Sequence, residues 1–372
     1  MRLGEFANRI LKVYYKIPVK LGEKVSKKAR REITASFCET IEKNSYDFAS
    51  ILFRPKKSDL IHVMNKELTK NNEKIGIVIQ GPPLFKDSFT LETISFYKKM
   101  FDNIEIILST WDDVDSDYLD QARKLGCDVI VNKKPSVSGM GNMNFQIISS
   151  LAGIRAAKQL GCKYVMKTRT DQRLYNYNAC NFLIDLIKTF PTTNHKQNSR
   201  IIVVQKWGGS LFLPFNAADF FYFGEINDME KLFDLPLDAN NFKNRADDDN
   251  ESRKLSLNNN LGTVFHLRAP ENKILEGFAK KVGFPVEITV KSYWEFIRQS
   301  IIGISTEEIG LYWKKYSRSI VENMWTHHYE PMDSDDQLLT YNLTFTNWLS
   351  IYTGSLEYRE EYEKYRMRKH NF

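Results

Sequence analysis

The sequence predicts an α/β fold built on a doubly wound, mostly parallel sheet, and three observations lead to it. Four apolar runs alternate with three helical patterns between Lys74 and Arg173, the rhythm of strands joined by crossover helices. The runs close on Gly-Pro turns or on abrupt polar switches, as strands buried on both faces do. The residues just past those runs are polar, and such sheets bind ligands beyond the carboxyl ends of their strands. A chain of 372 residues, 42% hydrophobic and 27% charged, has enough apolar surface for one large domain with additions or for two domains.

Residues 1–72 read as a basic, mostly helical N-terminal region. Ten Lys/Arg and two Glu between Met1 and Arg31 give that segment +8 against a net charge of +7 for the chain. Leu3, Phe6, Ile10, Val13 and Tyr14 recur at helical spacing with Arg9, Lys12 and Lys16 between them. A helix of this kind suits an anionic membrane surface; packing on the protein body and nucleic-acid binding are the alternatives. No stripe of basic and stacking residues continues through the fold, so no nucleic-acid partner is expected.

The domain expected over residues 73–350 opens with the strand Ile75–Ile79, closed by Gln80-Gly-Pro-Pro83. Asp87 or Ser88 is placed to cap the next helix, with Leu91, Ile94, Tyr97 and Phe101 facing inward. Strand Ile104–Leu108 runs out into Ser109-Thr-Trp-Asp-Asp113, a helix ends at Leu125-Gly126, and Asp128–Val131 is the third strand. A Gly/Asn/Ser-rich loop from Ser136 to Asn144 precedes the helix Phe145–Leu160. Strand Tyr164–Met166 then leads into Lys167, Arg169, Asp171 and Arg173, which would share one face if the strand ran on. Further on lie a strand at Ile201–Gln205, an aromatic strand at Phe220–Phe223, a polar loop around Asp247–Asp249 and a run of helices. Residues 351–372 form a charged helical tail.

The chemistry-bearing residues gather at the predicted strand ends: Gln80 and Gly81, Trp111 and Asp112, and Lys167 to Arg173. An aromatic ring suits a base, carboxylates suit ribose or a metal ion, and cations suit phosphate oxygens. Asp171 is the metal or ribose carboxylate in this reading; Lys167, Arg169 and Arg173 are the diphosphate cations. No G-x-G-x-x-G follows the first strand and no G-x-x-x-x-G-K-[ST] occurs, which excludes the dinucleotide fingerprint and the P-loop. The four cysteines form no C-x-x-C pair, against a zinc or redox site. Without a secretory signal or a spanning apolar run, the expected location is cytoplasmic, peripheral on the inner face of the membrane.

Six strings fall in a familiar order: Ile75-Gly-Ile-Val-Ile-Gln-Gly-Pro82, Glu105-Ile-Ile-Leu-Ser-Thr-Trp111, Asn142-Met-Asn-Phe-Gln146, Lys167-Thr-Arg-Thr-Asp171, Ala218-Asp-Phe-Phe-Tyr-Phe-Gly224 and Ala269-Pro-Glu271. Through them the chain, over roughly residues 74–350, resembles the WavE family of lipopolysaccharide-synthesis proteins. The resemblance implies a glycosyltransferase of the A-type nucleotide-diphospho-sugar fold, acting on a lipopolysaccharide or capsule acceptor. It adds Asn144 to the donor contacts and Glu271 or Asp219 as the catalytic carboxylate. Two departures stand out: Phe145 where an Arg is usual, and Arg169 at the first position of the Asp-x-Asp pattern that holds Mn²⁺ or Mg²⁺ in A-type enzymes. Either another ligand then completes a metal site with Asp171 or Arg169 replaces part of the metal's charge; His327, His328, Glu330 and Asp333 are candidates for that ligand, although the stretch reads first as an acidic surface loop. The competing readings are a sugar-phosphate nucleotidyltransferase, disfavoured because Gln80–Lys86 is not Gly-rich, and a non-catalytic membrane-peripheral assembly protein.

Overall fold

The structure is a computed structural model that describes residues 27–44, 52–61, 70–205, 210–239, 260–316 and 342–367. The predicted N-terminal amphipathic helix, the Asp247–Asp249 loop and His327 to Asp336 lie outside the described residues. The chain divides into two compact units, Met1–Pro55 and Lys56–Phe372. In the first, helix α1 (Lys27–Asn44) is described. No helix among the described residues is long and apolar enough to cross a membrane.

The second unit is the α/β domain. Its strands are β1 (Ile75–Gln80), β2 (Ile104–Trp111), β3 (Asp128–Asn132), β4 (Tyr164–Arg169), β5 (Gln172–Leu174), β6 (Ile201–Gln205), β7 (Tyr222–Glu225), β8 (Ile301–Ser305) and β9 (Leu311–Trp313). Seven form one sheet in the order β3-β2-β1-β4-β7-β6-β8. The pairs β1–β2, β1–β4, β2–β3 and β6–β8 are parallel, while β7 runs antiparallel to β4 and β6. This is the doubly wound, mostly parallel sheet expected, with the reversal at β7 as an addition.

Helices α2 (Phe89–Met100), α3 (Ser116–Lys124) and α4 (Met143–Gln159) cover the parallel half. Asp87 and Ser88 do not cap α2: both take left-handed backbone conformations and neither side chain bonds the helix start. Helix α4 lies close on β1 because glycine stands on both sides. A Cβ on Gly153 would come within 2.4 Å of Val78 Cγ1, and one on Gly76 within 2.6 Å of Ala157 Cβ. That approach sets the first turn of α4 beside the carboxyl ends of the strands.

Beyond β5 come α5 (Ala179–Thr189), α6 (Ile226–Phe233), α7 (Leu261–Arg268), α8 (Pro270–Lys281), α9 (Val290–Ser300), α10 (Phe345–Thr353) and α11 (Glu363–Arg366). Glu225 caps α6, accepting from the backbone of Asn227 and Asp228. The tail is tied down through Glu363, whose carboxylate accepts from the N–H groups of Val290 and Lys291 at the start of α9, where the helix dipole favours a negative charge. Cys127, Cys162 and Cys180 are buried.

Candidate functional site

Strand β4 does not run on. It ends at Arg169, the chain turns at Thr170 and Asp171, and β5 begins at Gln172 in a second, two-stranded sheet with β9. Thr170 holds that turn in place: its hydroxyl donates to Pro82 O (2.6 Å) and its N–H to Gln80 O (3.2 Å). The four charged residues expected on one face are therefore split between three environments.

Lys167 points into the core. It is fully buried, and its ammonium donates to Asp219 O (2.6 Å) and Gln146 Oε1 (3.1 Å). Burial pulls its pKa down to about 7, partly countered by the Asp219 carboxylate. Arg169 and Asp171 close on each other, Nε to Oδ1 at 2.9 Å and Nη2 to Oδ2 at 3.2 Å, and Trp313 Nε1 donates to the same Oδ2 at 3.1 Å. Arg173 leaves the cluster altogether. Its guanidinium is wholly buried against the ring of Phe89 and donates to Thr93 Oγ1, Phe89 O and Lys56 O, each at 2.9 Å. Buried and bonded in this way, Arg173 holds the fold together, which corrects its expected place among the diphosphate contacts to a structural one.

Two other expected donor contacts are also taken up inside the protein. Trp111 is 3% exposed, its ring packed edge-on against Phe145 at 5.0 Å. It caps the sheet edge and offers no free face to a base. Phe145, standing where an Arg is usual in the family pattern, supplies the surface that seals it. Asn144 is a clamp: Nδ2 donates to Val137 O (2.9 Å) and Asp238 O (2.8 Å), and Oδ1 accepts from Asp238 N (2.8 Å). All its polar capacity in that direction is spent on joining the loop before α4 to the segment after α6. Gln80 is buried and accepts from Ser149 Oγ at 2.9 Å. Gly81 (φ 109°) carries the backbone out of β1 in a conformation that L side chains rarely adopt. Asp112 is exposed just past β2, its N–H bonded to Asn132 O.

The two remaining carboxylates come together from distant segments. Asp219 sits in the apolar loop between β6 and β7, and Glu271 at the second position of α8, after the Pro270 that starts it. The residue beside Glu271 fastens the two segments: Asn272 Nδ2 donates to Pro214 O (2.6 Å) and its Oδ1 accepts from Asn216 Nδ2 (2.8 Å). Helix α9 adds Tyr293 OH to Asn216 O (3.1 Å) and Trp294 Nε1 to Leu211 O (2.8 Å). The loop is thereby fixed from both helices, and Asp219 and Glu271, each half-buried, act on one another electrostatically. Burial first, then the charge of Asp219, pushes the Glu271 carboxyl up to about 7.

Gln146, to which the sequence reading gave no role, completes the arrangement. The Lys167 ammonium donates to the amide oxygen of Gln146, which therefore faces it. The NH₂ group then faces Asp219 and donates to Oδ2. The lysine thus orients the amide, and the amide donates to the Asp219 carboxylate. The phenol of Tyr222, fully buried, has no hydrogen-bond partner among the described residues, and the charges of Asp219 and Glu271 add to the burial that raises its pKa.

The family model for WavE lipopolysaccharide synthesis matches residues 75–369 of the 372. The chain belongs to that family. The WavE match takes in the whole sheet, the Asp219 loop and α8, and leaves the basic N-terminal region outside. No curated protein matches the sequence. Among solved structures, the chain is similar to a cytidylyltransferase from Leptospira borgpetersenii (16% identity, 44% of this chain, 66% of that one, TM-score 0.26). It is also similar to glucosyl-3-phosphoglycerate synthase from Mycobacterium tuberculosis in complex with Mn²⁺, UDP and phosphoglyceric acid (13%, 63%, 86%, 0.31). A third is HddC from Yersinia pseudotuberculosis (12%, 46%, 84%, 0.28). The matched part of the WavE-family chain spans just under two thirds of the Leptospira enzyme.

A divalent ion does not fit the residues described. No group of three or more His, Cys, Asp and Glu is arranged to hold one among the described residues. Both oxygens of Asp171 are already engaged by Arg169 and Trp313. The histidines that would join Asp171 lie outside the described residues.

Proposed function

We propose that this WavE-family protein transfers a sugar from a nucleotide-sugar donor to a hydroxyl of a bacterial surface-polysaccharide acceptor. The carrying observation is the Asp219–Glu271 pair: two half-buried carboxyl groups, one bonded by Gln146, the other with its pKa pushed up to about 7. A carboxyl whose pKa lies near the working pH suits proton transfer. In this reading Glu271 accepts the acceptor hydroxyl proton as that oxygen bonds the anomeric carbon, and the nucleotide leaves with the electrons of the broken C–O bond. Asp219 keeps a fixed negative charge beside the oxocarbenium-like centre. Lys167 and Gln146 position Asp219, and Arg169, its plane set by Asp171, carries the positive charge assigned to the departing diphosphate.

The test is nucleotide release from UDP-, GDP-, CMP- and TDP-sugars by the full chain, with and without Mn²⁺, beside Glu271→Gln. Release that the variant loses supports the proposal. The alternative, a sugar-phosphate nucleotidyltransferase, predicts pyrophosphate release from a nucleoside triphosphate and a sugar 1-phosphate. That product without any nucleotide release from the sugars overturns sugar transfer.

A further inference from the structure

A cavity of about 400 Å³ opens between the segment after α6, helix α7 and one face of α8, within the size range of small-molecule sites. Helical spacing creates its charged wall. Lys273, Glu276 and Lys280 stand three, four and seven residues apart and so share a face of α8. Glu271 is five residues before Glu276, about 140° away around the helix axis, so the cavity is separate from the carboxylate pair described above.

The floor is aliphatic. Leu235 and Pro236 line it together with Gly277, where a Cβ would come within 2.6 Å of Leu235 Cδ2. Glycine is what lets the helix and that segment meet. Inside, the Glu276 carboxylate is 2% exposed and bonded to Nδ1 of His266 at 2.5 Å. A buried carboxylate paired this way fixes the orientation of the imidazole ring. The ring is partly exposed on the cavity, and its other nitrogen has no hydrogen-bond partner among the described residues. At the rim, Lys281 is paired with Asp234 at 2.5 Å. Lys273 and Lys280 have no ion pair among the described residues. Glu276 is bonded to His266 and Asp234 to Lys281, so Lys273 and Lys280 bring two positive charges to the opening with no carboxylate in direct contact among the described residues.

We propose that this cavity binds a phosphorylated saccharide. The phosphate sits between Lys273 and Lys280 within reach of His266, and the C–H face of the sugar ring lies on Leu235 and Pro236. Cations around an opening select an anion. The aliphatic floor suits the C–H face of a sugar ring, and among the described residues the lining offers no Phe, Tyr or Trp for a nucleobase to stack on. The site is independent of the chemistry at Glu271, and binding alone tests it.

Isothermal titration of the full chain with glucose 6-phosphate, inorganic phosphate and glucose separates the contributions. The expected result is binding of glucose 6-phosphate, weaker binding of phosphate and none of glucose. The double variant Lys273→Ala/Lys280→Ala should lose at least about tenfold in affinity, as removal of charge-assisted contacts implies, with an unchanged melting temperature. UDP as a titrant in the same two proteins tells this cavity from a donor site: its affinity should be equal in both. Three results overturn the proposal: no binding of glucose 6-phosphate, equal binding by the double variant, or phosphate alone binding as tightly as the sugar phosphate. Should the double variant fail to fold, His266→Gln takes its place, with the same loss expected and the same result overturning it.

Discussion

The end of β4 and the Asp219–Glu271 pair hold similar groups, carboxylates beside cations, in opposite states. At the strand end the charges answer one another: Asp171 is gripped by Arg169 and Trp313, and Arg173 is buried among carbonyls and rings. At the pair, two carboxyl groups act on one another electrostatically, with one amide between Asp219 and the buried Lys167. A cluster so largely self-neutralised has no proton to move and keeps only the Arg169 cation for a phosphate. A pair whose charge is unresolved near neutrality is poised to move a proton. The density of charge in the sequence pointed to the first; the geometry favours the second.

Substitutions can break or sharpen that contrast. Glu271→Gln should have the largest effect on turnover, a loss of about 10²–10⁴-fold, as when a general base is removed. Its fold should hold. A carboxyl whose pKa is raised in the folded state loses stability as pH rises from its unfolded value to about 7. The Gln variant should therefore melt above the parent at pH 8 and level with it below pH 4.5, which thermal melts across pH will check. Arg173→Met should do the reverse. It leaves the buried carbonyl of Phe89 and the carbonyl of Lys56 without their donor, destabilising the domain by about 3 kcal/mol or more. Chemical denaturation measures that loss, while the donor KM of the remaining folded protein should not change. Gln146→Leu should cut turnover by about tenfold, the worth of one charge-assisted hydrogen bond, with the melting temperature little altered. Asp171→Asn should have the smallest effect on turnover, within about threefold, since both of its oxygens are already engaged by Arg169 and Trp313. A loss of a hundredfold there would return the chemistry to the strand end.

The parallel half of the sheet was legible because Ile75–Ile79, Ile104–Leu108 and Tyr164–Met166 are apolar runs with clear polar stops. Even there, the stop was misread at Asp171: an alternating pattern cannot distinguish a strand that continues from one that turns and joins another sheet. Arg173 and Trp111 read as ligand contacts because residue type and position suggest it. Only packing tells that Phe89 and Phe145 enclose them. Asp219 and Glu271 were both named from the sequence, but their proximity depends on Asn272 reaching Pro214 and Asn216, a contact between segments more than fifty residues apart. Gln146 carried one signal, its place at the end of the Asn142–Gln146 string, and no reason from spacing to link it with Lys167.

The most direct measurement is the pH dependence of nucleotide release from the preferred donor sugar, in the parent protein and in Asp219→Asn. The account predicts turnover that rises through about pH 7 as Glu271 loses its proton. In the variant the neighbouring negative charge is gone, so the same rise should come at lower pH, with a reduced plateau. A rise that stays where it was, or a profile flat across pH 5–9 in both proteins, would contradict the claim that this pair is the chemical centre.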